Sequence, residues 1–488
     1  MIRLLLSLSL IGGLAACSLT PLLKLPPPPV PANFPLSTKP AASAVPASQL
    51  GWRAMFGDPR LQRLIELALQ HNRDLRLAAL NVQAAKEMAK VQRAGLLPAV
   101  GLAATQTRER ALATDGGGRT TRSVSRQAEV NVAVSAFELD LFGRVRALSD
   151  AALARYLASE HGRDAVHIAL VSAVAEAYFA QQLAVEQRQL AERMLADWQQ
   201  SLALARLLKQ AEQSSSLDVA QAEAQAALAE AELEARRRAE AQAANALQLL
   251  VGGELPGDLP AALPLAGQPV IARLPAGLPS ELLLTRPDLR QAEQMLVAAN
   301  ADIGAARAAF FPQISLTASF GYASTALGGL FDPGHQVWRF APQLSQPLFQ
   351  GGRLRAELRL AEVRKSEAVA QYERAIQNAF REVADALAGT ATFDRQIAAQ
   401  QRALDAAERR LALSRQRYQA GFDGRLELLD AQRQFDAARQ AMLALRHEEI
   451  VNRVALYKSL GGGLGAHAGS SDAFVATPAA LNPGAGAS

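Results

Sequence analysis

The 488-residue chain carries 51 basic and 46 acidic residues, a formal charge of +5 that neither points to nucleic acid nor excludes it. Half of the chain is hydrophobic, yet aromatics make up only 5% and mean hydropathy is +0.03, so alanine and leucine supply the apolar content. That is the composition of long helices, not of a disordered chain or, with one cysteine, a disulfide scaffold.

Arg3, the apolar run Leu4–Ala16 and then Cys17 form a segment too short to span a bilayer, so residues 1–16 read as a secretory signal peptide. The sole cysteine follows Leu14-Ala15-Ala16, which resembles a bacterial lipobox, where cleavage exposes a cysteine for lipidation. An ordinary signal peptide with a coincidental cysteine is the alternative; the position of the only thiol favours a lipoprotein. Ser18 matches the type sorted to the outer membrane. Residues 17–51 then read as a lipidated N-terminus with a proline-rich tether (Pro26 to Pro29, Pro31, Pro35, Pro40, Pro46), extended at about 3.1 Å per residue.

At about 150 residues per domain the length corresponds to about three domains. Internal matches say otherwise. Asn72-Arg73-Asp74-Leu75-Arg76 recurs as Arg286-Pro287-Asp288-Leu289-Arg290, and Leu97-Pro98 as Phe311-Pro312, both at an offset of 214 residues. Phe142-Gly143-Arg144 matches Gly351-Gly352-Arg353 at 209, an offset kept by Leu217 with Leu426 and by Gly252-Gly253 with Gly461-Gly462. The body is therefore one unit duplicated, over residues 52–255 and 275–464, followed by a Gly/Ala/Ser-rich tail at 465–488 expected to be disordered.

Each unit places a helix before its Leu-Pro or Phe-Pro break, then two stretches of period-two alternation. Strands are expected at about 99–108, 127–141, 313–323 and 337–348. Residues 99–107 alternate least clearly, and Pro342 and Pro347 weaken the fourth. Val130, Val132, Val134 and Ala136 alternate with Asn131, Ala133 and Ser135; Ile314, Leu316, Ala318, Phe320 and Tyr322 alternate with small polar residues and glycine. These are either half-buried strands of an antiparallel sheet or transmembrane strands, which need about 9–11 residues each. Thr114-Asp115-Gly116-Gly117-Gly118 and Gly328 to Gly334 read as the intervening turns. Membrane barrels start at about eight strands, so four that span must be shared within an oligomer.

Two stretches starting at Arg144 and Arg353, each about seventy residues long, lack proline and hold one interior glycine apiece, Gly162 and Gly389. As helix each would measure about 105 Å. Ile397, Leu404, Leu411 and Tyr418 recur at seven, with Ala399 and Ala406 beside the stripe, as in coiled coils. A two-helix scaffold and a hollow helical tube both fit; the accompanying strands favour the tube. The helices turn at Glu212 to Ser216 and at Tyr418 to Gly424, where the repeats diverge: Tyr418 aligns with Lys209 and Asp430 with Gln221. Divergence there means either two different tasks or free drift at exposed tips.

Glu138-Leu139-Asp140-Leu141-Phe142-Gly143-Arg144, Pro347-Leu348-Phe349-Gln350-Gly351-Gly352-Arg353-Leu354 and Ala379 to Leu387 carry a family resemblance. So do Arg417-Tyr418 with Gly421, Leu428 to Gln432, and Leu456-Tyr457-Lys458 with Leu460 to Gly463. Over residues 52–464 the chain resembles the outer membrane efflux protein family of TolC type, particularly its OprM-like lipoprotein branch. The resemblance implies a mainly α fold with membrane β: a homotrimer in which four strands per chain make a twelve-stranded outer-membrane barrel. A periplasmic α-helical barrel with a mixed equatorial domain continues it.

The family's role is the exit channel of tripartite, usually RND-type, efflux pumps that export small molecules such as drugs. The implied partners are a periplasmic adaptor, an inner-membrane RND transporter and outer-membrane lipid at Cys17; nucleic acid is not among them. Asp430 and Leu426 would line a periplasmic constriction, with Tyr418 and Arg417 holding it shut. Gly421, Asp423, Ser215 and Ser216 would meet the adaptor at the hairpin tips. Three Asp430 carboxylates in a ring would repel one another, so closure needs donors such as Arg417.

No catalytic constellation is present: no phosphate loop, HExxH or GxSxG occurs. His161 and His167 lie six apart, off a common helix face, so neither metal nor cofactor is expected. An outer-membrane channel for type I protein secretion and a lipid-anchored coiled-coil scaffold are the alternatives to an efflux duct.

Overall fold

The computed structural model describes residues 18–35, 46–114, 120–272, 274 and 285–466. The expected signal peptide, Cys17, the glycine turn after Thr114 and the tail beyond Ala466 lie outside them. The principal elements in chain order are α1 (Pro59–His71), α2 (Arg73–Ala94), β1 (Val100–Thr114), β2 (Thr120–Leu139), α3 (Arg144–Gln210) and α4 (Ser216–Val251). Then follow α5 (Pro287–Ala308), β3 (Gln313–Ser324), β4 (Gln336–Ser345), α6 (Arg353–Gln419) and α7 (Arg425–Ser459). The two uninterrupted stretches are single helices of 67 residues each, as their want of proline and glycine predicts. In α3 one 18-residue stretch is apolar enough to cross a bilayer, but 56% of it is buried within the protein, as in a core helix.

The chain divides into two units. One comprises Val82–Ser159, Gln291–Tyr372 and the described residues before Pro28, and holds an antiparallel sheet in the order β1-β2-β3-β4. All helix-connected strand ends of this sheet lie on one side and both β-hairpin turns on the other, because each strand pair enters from and returns to a helix. β1 and β2 are longer than expected: their pairing continues as far as Thr114 opposite Thr120, through a stretch rich in arginine. β4 stops at Ser345, short of Pro347; Pro342 lies within it opposite Leu316, on a strand at the edge of the chain's sheet, where a missing N–H is tolerated.

Directly opposed residues share a face. One face carries Val100, Leu102, Val130, Val132, Val134, Leu316, Phe320, Trp338, Phe340 and Leu344, and the other Thr105, Asn131, Glu129, Ser315, Thr317, Ser319 and Gln343. The alternation expected through Ala136 breaks between Val134 and Phe137, where a register shift puts Ala136 at φ 48°. This bulge has a purpose. By inserting one residue it switches β2 from even to odd apolar positions, so that Phe137 opposite Leu316 and Leu139 opposite Ile314 stay on the apolar face.

The strand-to-helix corner explains the Glu138–Arg144 motif. Arg144 donates to both Glu138 oxygens (Nε 2.9 Å, Nη2 2.5 Å), and Asp140 accepts from the amides of Val145 and Arg146 at the start of α3. Gly143 turns at φ 75°, and Phe142 stacks on Phe311 at 4.8 Å.

The second unit comprises Pro28–Asn81, Glu160–Arg290 and the chain from Glu373 onward. Tyr178, Phe179, Tyr457, Phe56, Met55, Leu61, Leu64 and Ile65 fill its core. The Tyr178 hydroxyl donates to Asp58 at 2.6 Å, the carboxylate that also caps α1 through the Arg60 amide. The duplication is visible atom by atom. Asn72 donates to the Leu250 carbonyl at 2.9 Å while its repeat mate Arg286 donates to the Ser459 carbonyl at 2.9 Å, and residues 250 and 459 are themselves repeat mates. Each contact ties the helix start of a unit to the end of its last long helix. Arg286 is buried, and Asp288 (2.6 Å) and Glu382 (2.8 Å) neutralise it. Just beyond, Gly252 and Gly461 take φ 84° and 80°; a Cβ on Gly252 would lie 2.5 Å from the His71 carbonyl oxygen.

Gly321 in β3 is constrained in another way. A Cβ there would lie 2.0 Å from the Val130 carbonyl oxygen, whereas at Gly328 it would meet nothing within 4 Å. Gly321→Val is therefore expected to part β2 from β3 and to deplete the folded protein recovered from membranes, with Gly328→Ala as the neutral control; equal recovery of the two would contradict this packing.

Candidate gate at the helical tips

All the tip residues belong to the second unit. At the α6–α7 tip the helix closes with Gly421 at φ 78°: Gly421 N donates to the Tyr418 carbonyl (3.1 Å) and Phe422 N to the Arg417 carbonyl (2.9 Å). These are the contacts of a Schellman turn. The α3–α4 tip repeats it at aligned positions, with Glu212 at φ 61° and bonds from Glu212 to Lys209 and from Gln213 to Leu208. A glutamate thus occupies a left-handed position that glycine takes in the second repeat.

The tips are then stabilised differently. In the first, Ser215 caps α4 and exchanges a reciprocal bond with Asp218, whose carboxyl is held below the usual range by the Ser215 amide and the Ser215 and Ser214 hydroxyls. Ser216 is the first residue of α4 and exposed. In the second, the α7 cap position is Gly424, which has no side chain to accept a bond. Closure comes instead from Arg417, which grips both Asp423 oxygens (2.7 and 2.8 Å) and holds that carboxyl below the usual range.

This pairing differs from the expectation that Arg417 serves Asp430. The nearer of two cations on Asp430 is Arg410 of α6, whose Nη2 lies 2.9 Å from Asp430 Oδ2 and 2.6 Å from Glu427 Oε1. Its Nη1 reaches Gln434, which also donates to Asp430 at 3.0 Å, and Arg433 stands 3.4 Å from the other Asp430 oxygen. Arg410 escapes sequence inspection because it matches no motif. Reflection of the hairpin about Phe422, the middle of the turn, places it level with Gln434, and that would have found it. Tyr418 is half-buried, and Leu426 is 67% exposed on the same side of α7 as Asp430, one helical turn away. Phe422, absent from the expected site, is 78% exposed at the turn.

The other side of α7 faces the first hairpin. Leu429 packs with Trp198, Ala226 and Ala229, Arg425 donates to the Ser201 carbonyl, and Gln432 reaches Asp197 at 3.5 Å. Helix α7 is thus held on one side by apolar contact with hairpin one and on the other by ion pairs to α6. Leu411 is buried and Ile397, Leu404 and Tyr418 are half-buried along one stripe, whereas Ala399 and Ala406 are exposed on the single chain.

An open-edged sheet with one apolar and one polar face, continued by long helical hairpins, is the architecture of an outer-membrane duct. The model of the outer membrane efflux protein family matches residues 64–253 and 278–462, one match per repeat, and the chain belongs to that family. It is 43% identical over 468 residues to the solvent efflux pump outer membrane protein SrpC of Pseudomonas putida, covering 94% of this chain and 97% of the relative. Against the cation efflux system protein CusC of Escherichia coli the identity is 42% over 453 residues, covering 92% and 96%. The crystal structure of the open state of the Neisseria gonorrhoeae MtrE outer membrane channel superposes with a TM-score of 0.84 at 39% identity, covering 93% of this chain and all of that one. The relatives are efflux channel proteins, and the duplication and fold expected from the sequence are those of the family.

One buried acid lies at the contact between α7 and α3. Asp436 has its pKa pushed up to about 6, first by burial and further by the Asp197 charge; the Gln432 amide and Arg439 oppose the shift. A carboxyl raised from its ordinary 3.8 keeps a proton that the unfolded chain has lost, so its contribution to stability is full below that value and is lost as pH rises through about 6. Amide-exchange protection over residues 425–442, corrected for intrinsic rate, should therefore fall between about pH 4 and about pH 6 in the parent and stay level in Asp436→Asn.

Proposed function

We propose that the chain is the outer-membrane exit duct of a tripartite, RND-type efflux pump, working as a homotrimer anchored by lipid at Cys17. The observation that carries the proposal is the sheet. Its faces are chemically opposite and its edges, β1 and β4, are open within the chain. In hydrocarbon each unsatisfied backbone group costs several kcal/mol, so the edges must be closed by other copies, and four strands per copy fall short of the roughly eight that a barrel needs. Three copies give the twelve strands that the family resemblance implies, with the apolar face toward lipid and the polar face lining the lumen. No energy-coupling site is required of the duct, since an inner-membrane transporter and a periplasmic adaptor supply drive and docking.

Relatives named for solvent and for cation efflux are equally similar to the chain, at 43% and 42% identity. A lumen lined by Ser, Thr, Asn and Gln fits that indifference, and choice of cargo belongs to the pump. Asp430 and Leu426 line the periplasmic constriction, with Tyr418 contributing from α6; Arg410 holds Asp430 and Glu427, while Arg417 with Asp423 braces the turn. Exposed Phe422 and Leu426, together with Gly421, Asp423, Ser215 and Ser216, form the tip surface offered to the adaptor. Adaptor docking loosens the Arg410 latch, and the second hairpin swings outward.

Single-channel recordings in planar bilayers test this. Asp430→Ala, Arg410→Ala and Tyr418→Phe should each raise conductance or open probability over the parent. Unchanged conductance in all three would remove the gate from these residues, and absence of any ion conductance in the parent would remove the duct.

A further inference from the structure

The β1–β2 hairpin extends past its neighbours. Pairing of β2 with β3 ends at Ala128 opposite Ser324, whereas pairing with β1 runs on through Arg108–Arg126, Arg110–Val124 and Leu112–Arg122. Because opposed residues and those two apart share a face, Arg108, Arg110, Arg122 and Arg126 all stand on one side of this ribbon. It is the side that continues the apolar face of the sheet. Glu109, the acid of this stretch, alternates to the other side with Thr107, Ser125 and Gln127. All four arginines are exposed, and among the described residues none has a carboxylate partner.

Arg108 and Arg126 are directly opposed, an arrangement of like charges that a sheet disfavours unless an anion lies between them. Their depth says which anion. From the Ile314–Leu344 pair to the Tyr322–Gln336 pair is eight residues, about 27 Å of strand and about 21 Å of height at a tilt of about 40°, close to the apolar band of a membrane barrel. Tyr322, with Phe331 against it edge-on at 5.5 Å, marks the upper aromatic border of that band. The Arg108–Arg126 level lies four residues above that of Tyr322, which stands opposite Val130, about 14 Å further along the strand and about 10 Å higher. Arginine on a lipid-facing surface is costly at the midplane and nearly free at the interface, so this placement is one that a headgroup layer accepts.

The helices all join the sheet at the other end, so under the proposed duct orientation the ribbon is on the exterior side. We infer that the four arginines form a comb for the phosphate groups of outer-leaflet lipid headgroups. Guanidinium suits phosphate by its paired donors, and the ribbon's exposed Leu112 and Val124 on the same face fit between lipid-linked groups. The site rests on the duct reading for its orientation, and its role is to seat the barrel at a fixed depth in a phosphorylated leaflet.

The test uses the full-length protein in detergent, with lipopolysaccharide, the same lipopolysaccharide stripped of phosphate, and inorganic pyrophosphate as probes. Quadruple Arg108→Gln, Arg110→Gln, Arg122→Gln, Arg126→Gln protein should bind the phosphorylated lipid at least about tenfold more weakly than the parent, and the double Arg108→Gln, Arg126→Gln should fall between. Glu109→Gln, on the opposite face, should bind as the parent does. Dephosphorylated lipid should bind parent and variants alike. Equal affinity of parent and quadruple variant for the phosphorylated lipid would overturn the proposal, as would parent binding of pyrophosphate as tight as that of the lipid. Conductance recorded on the same preparations separates the readings: conducting channels without phosphate-dependent lipid binding sink the comb alone, and a non-conducting parent sinks the duct.

Discussion

Everything in the membrane-facing unit depends on where backbone hydrogen bonds can go. β1 and β4 each leave a row of amides and carbonyls unpaired within the chain, and the alternating faces leave one side unfit for water and the other unfit for lipid. A lone copy is therefore an incomplete solution in either solvent. In the proposed trimer, closure with other copies satisfies both demands together. It also accounts for the bulge before Phe137: without it, the last two apolar residues of β2 would turn to the polar side. The left-handed strain at Ala136 is small beside two large side chains placed in the wrong medium.

Duplication supplies the framework, and departures from it supply the function. Asn72 with Leu250 and Arg286 with Ser459 perform the same task with different chemistry, an amide in one repeat and a charge-neutralised guanidinium in the other. The tip turns close by the same backbone pattern at aligned residues. What differs is the side chains the turns carry. Hairpin one satisfies its helix start internally through Ser215 and Asp218. Hairpin two leaves Gly424 without a capping side chain, braces its turn with the Arg417–Asp423 pair and joins α6 to α7 through Arg410.

The sequence made long helices, the repeat and the four strands legible because each obeys one simple rule: proline and glycine spacing, self-similarity, or period two. Strand ends were less legible. Beyond Arg108 the ribbon alternates arginine, valine and leucine against small polar residues, which reads as loop until cross-strand pairing is known. At the tips, Asp430 and Tyr418 could be singled out by divergence from Gln221 and Lys209, but no motif marks their partners. Motif likeness pointed to Arg417 as the neighbouring donor, and the turn instead folds that side chain onto Asp423 six residues away. Arg410 acts across the hairpin from twenty residues away, a distance along the chain that helix periodicity does not encode.

The location of that latch sets how an opening motion must run in the proposed gate. If Asp430 were neutralised by a neighbouring copy, separating the copies would expose an uncompensated carboxylate. With Arg410 on its own chain, Asp430 keeps a counter-charge while the copies of the proposed trimer part. Leu429 and Arg425 hold α7 to the first hairpin, and Arg410 holds it to α6. A rigid swing of α6 with α7 strains the Leu429 side, and a slide of α6 along α7 strains the Arg410 side. The two contacts differ in kind: apolar packing against Trp198 resists separation but tolerates small rotation, whereas a guanidinium shared among Asp430, Glu427 and Gln434 can pass from one acceptor to the next without ever being bare. In the proposed gate, opening therefore begins at the Arg410 contact, which can yield without leaving a bare charge, and the outward swing of the second hairpin then works against the Leu429 packing.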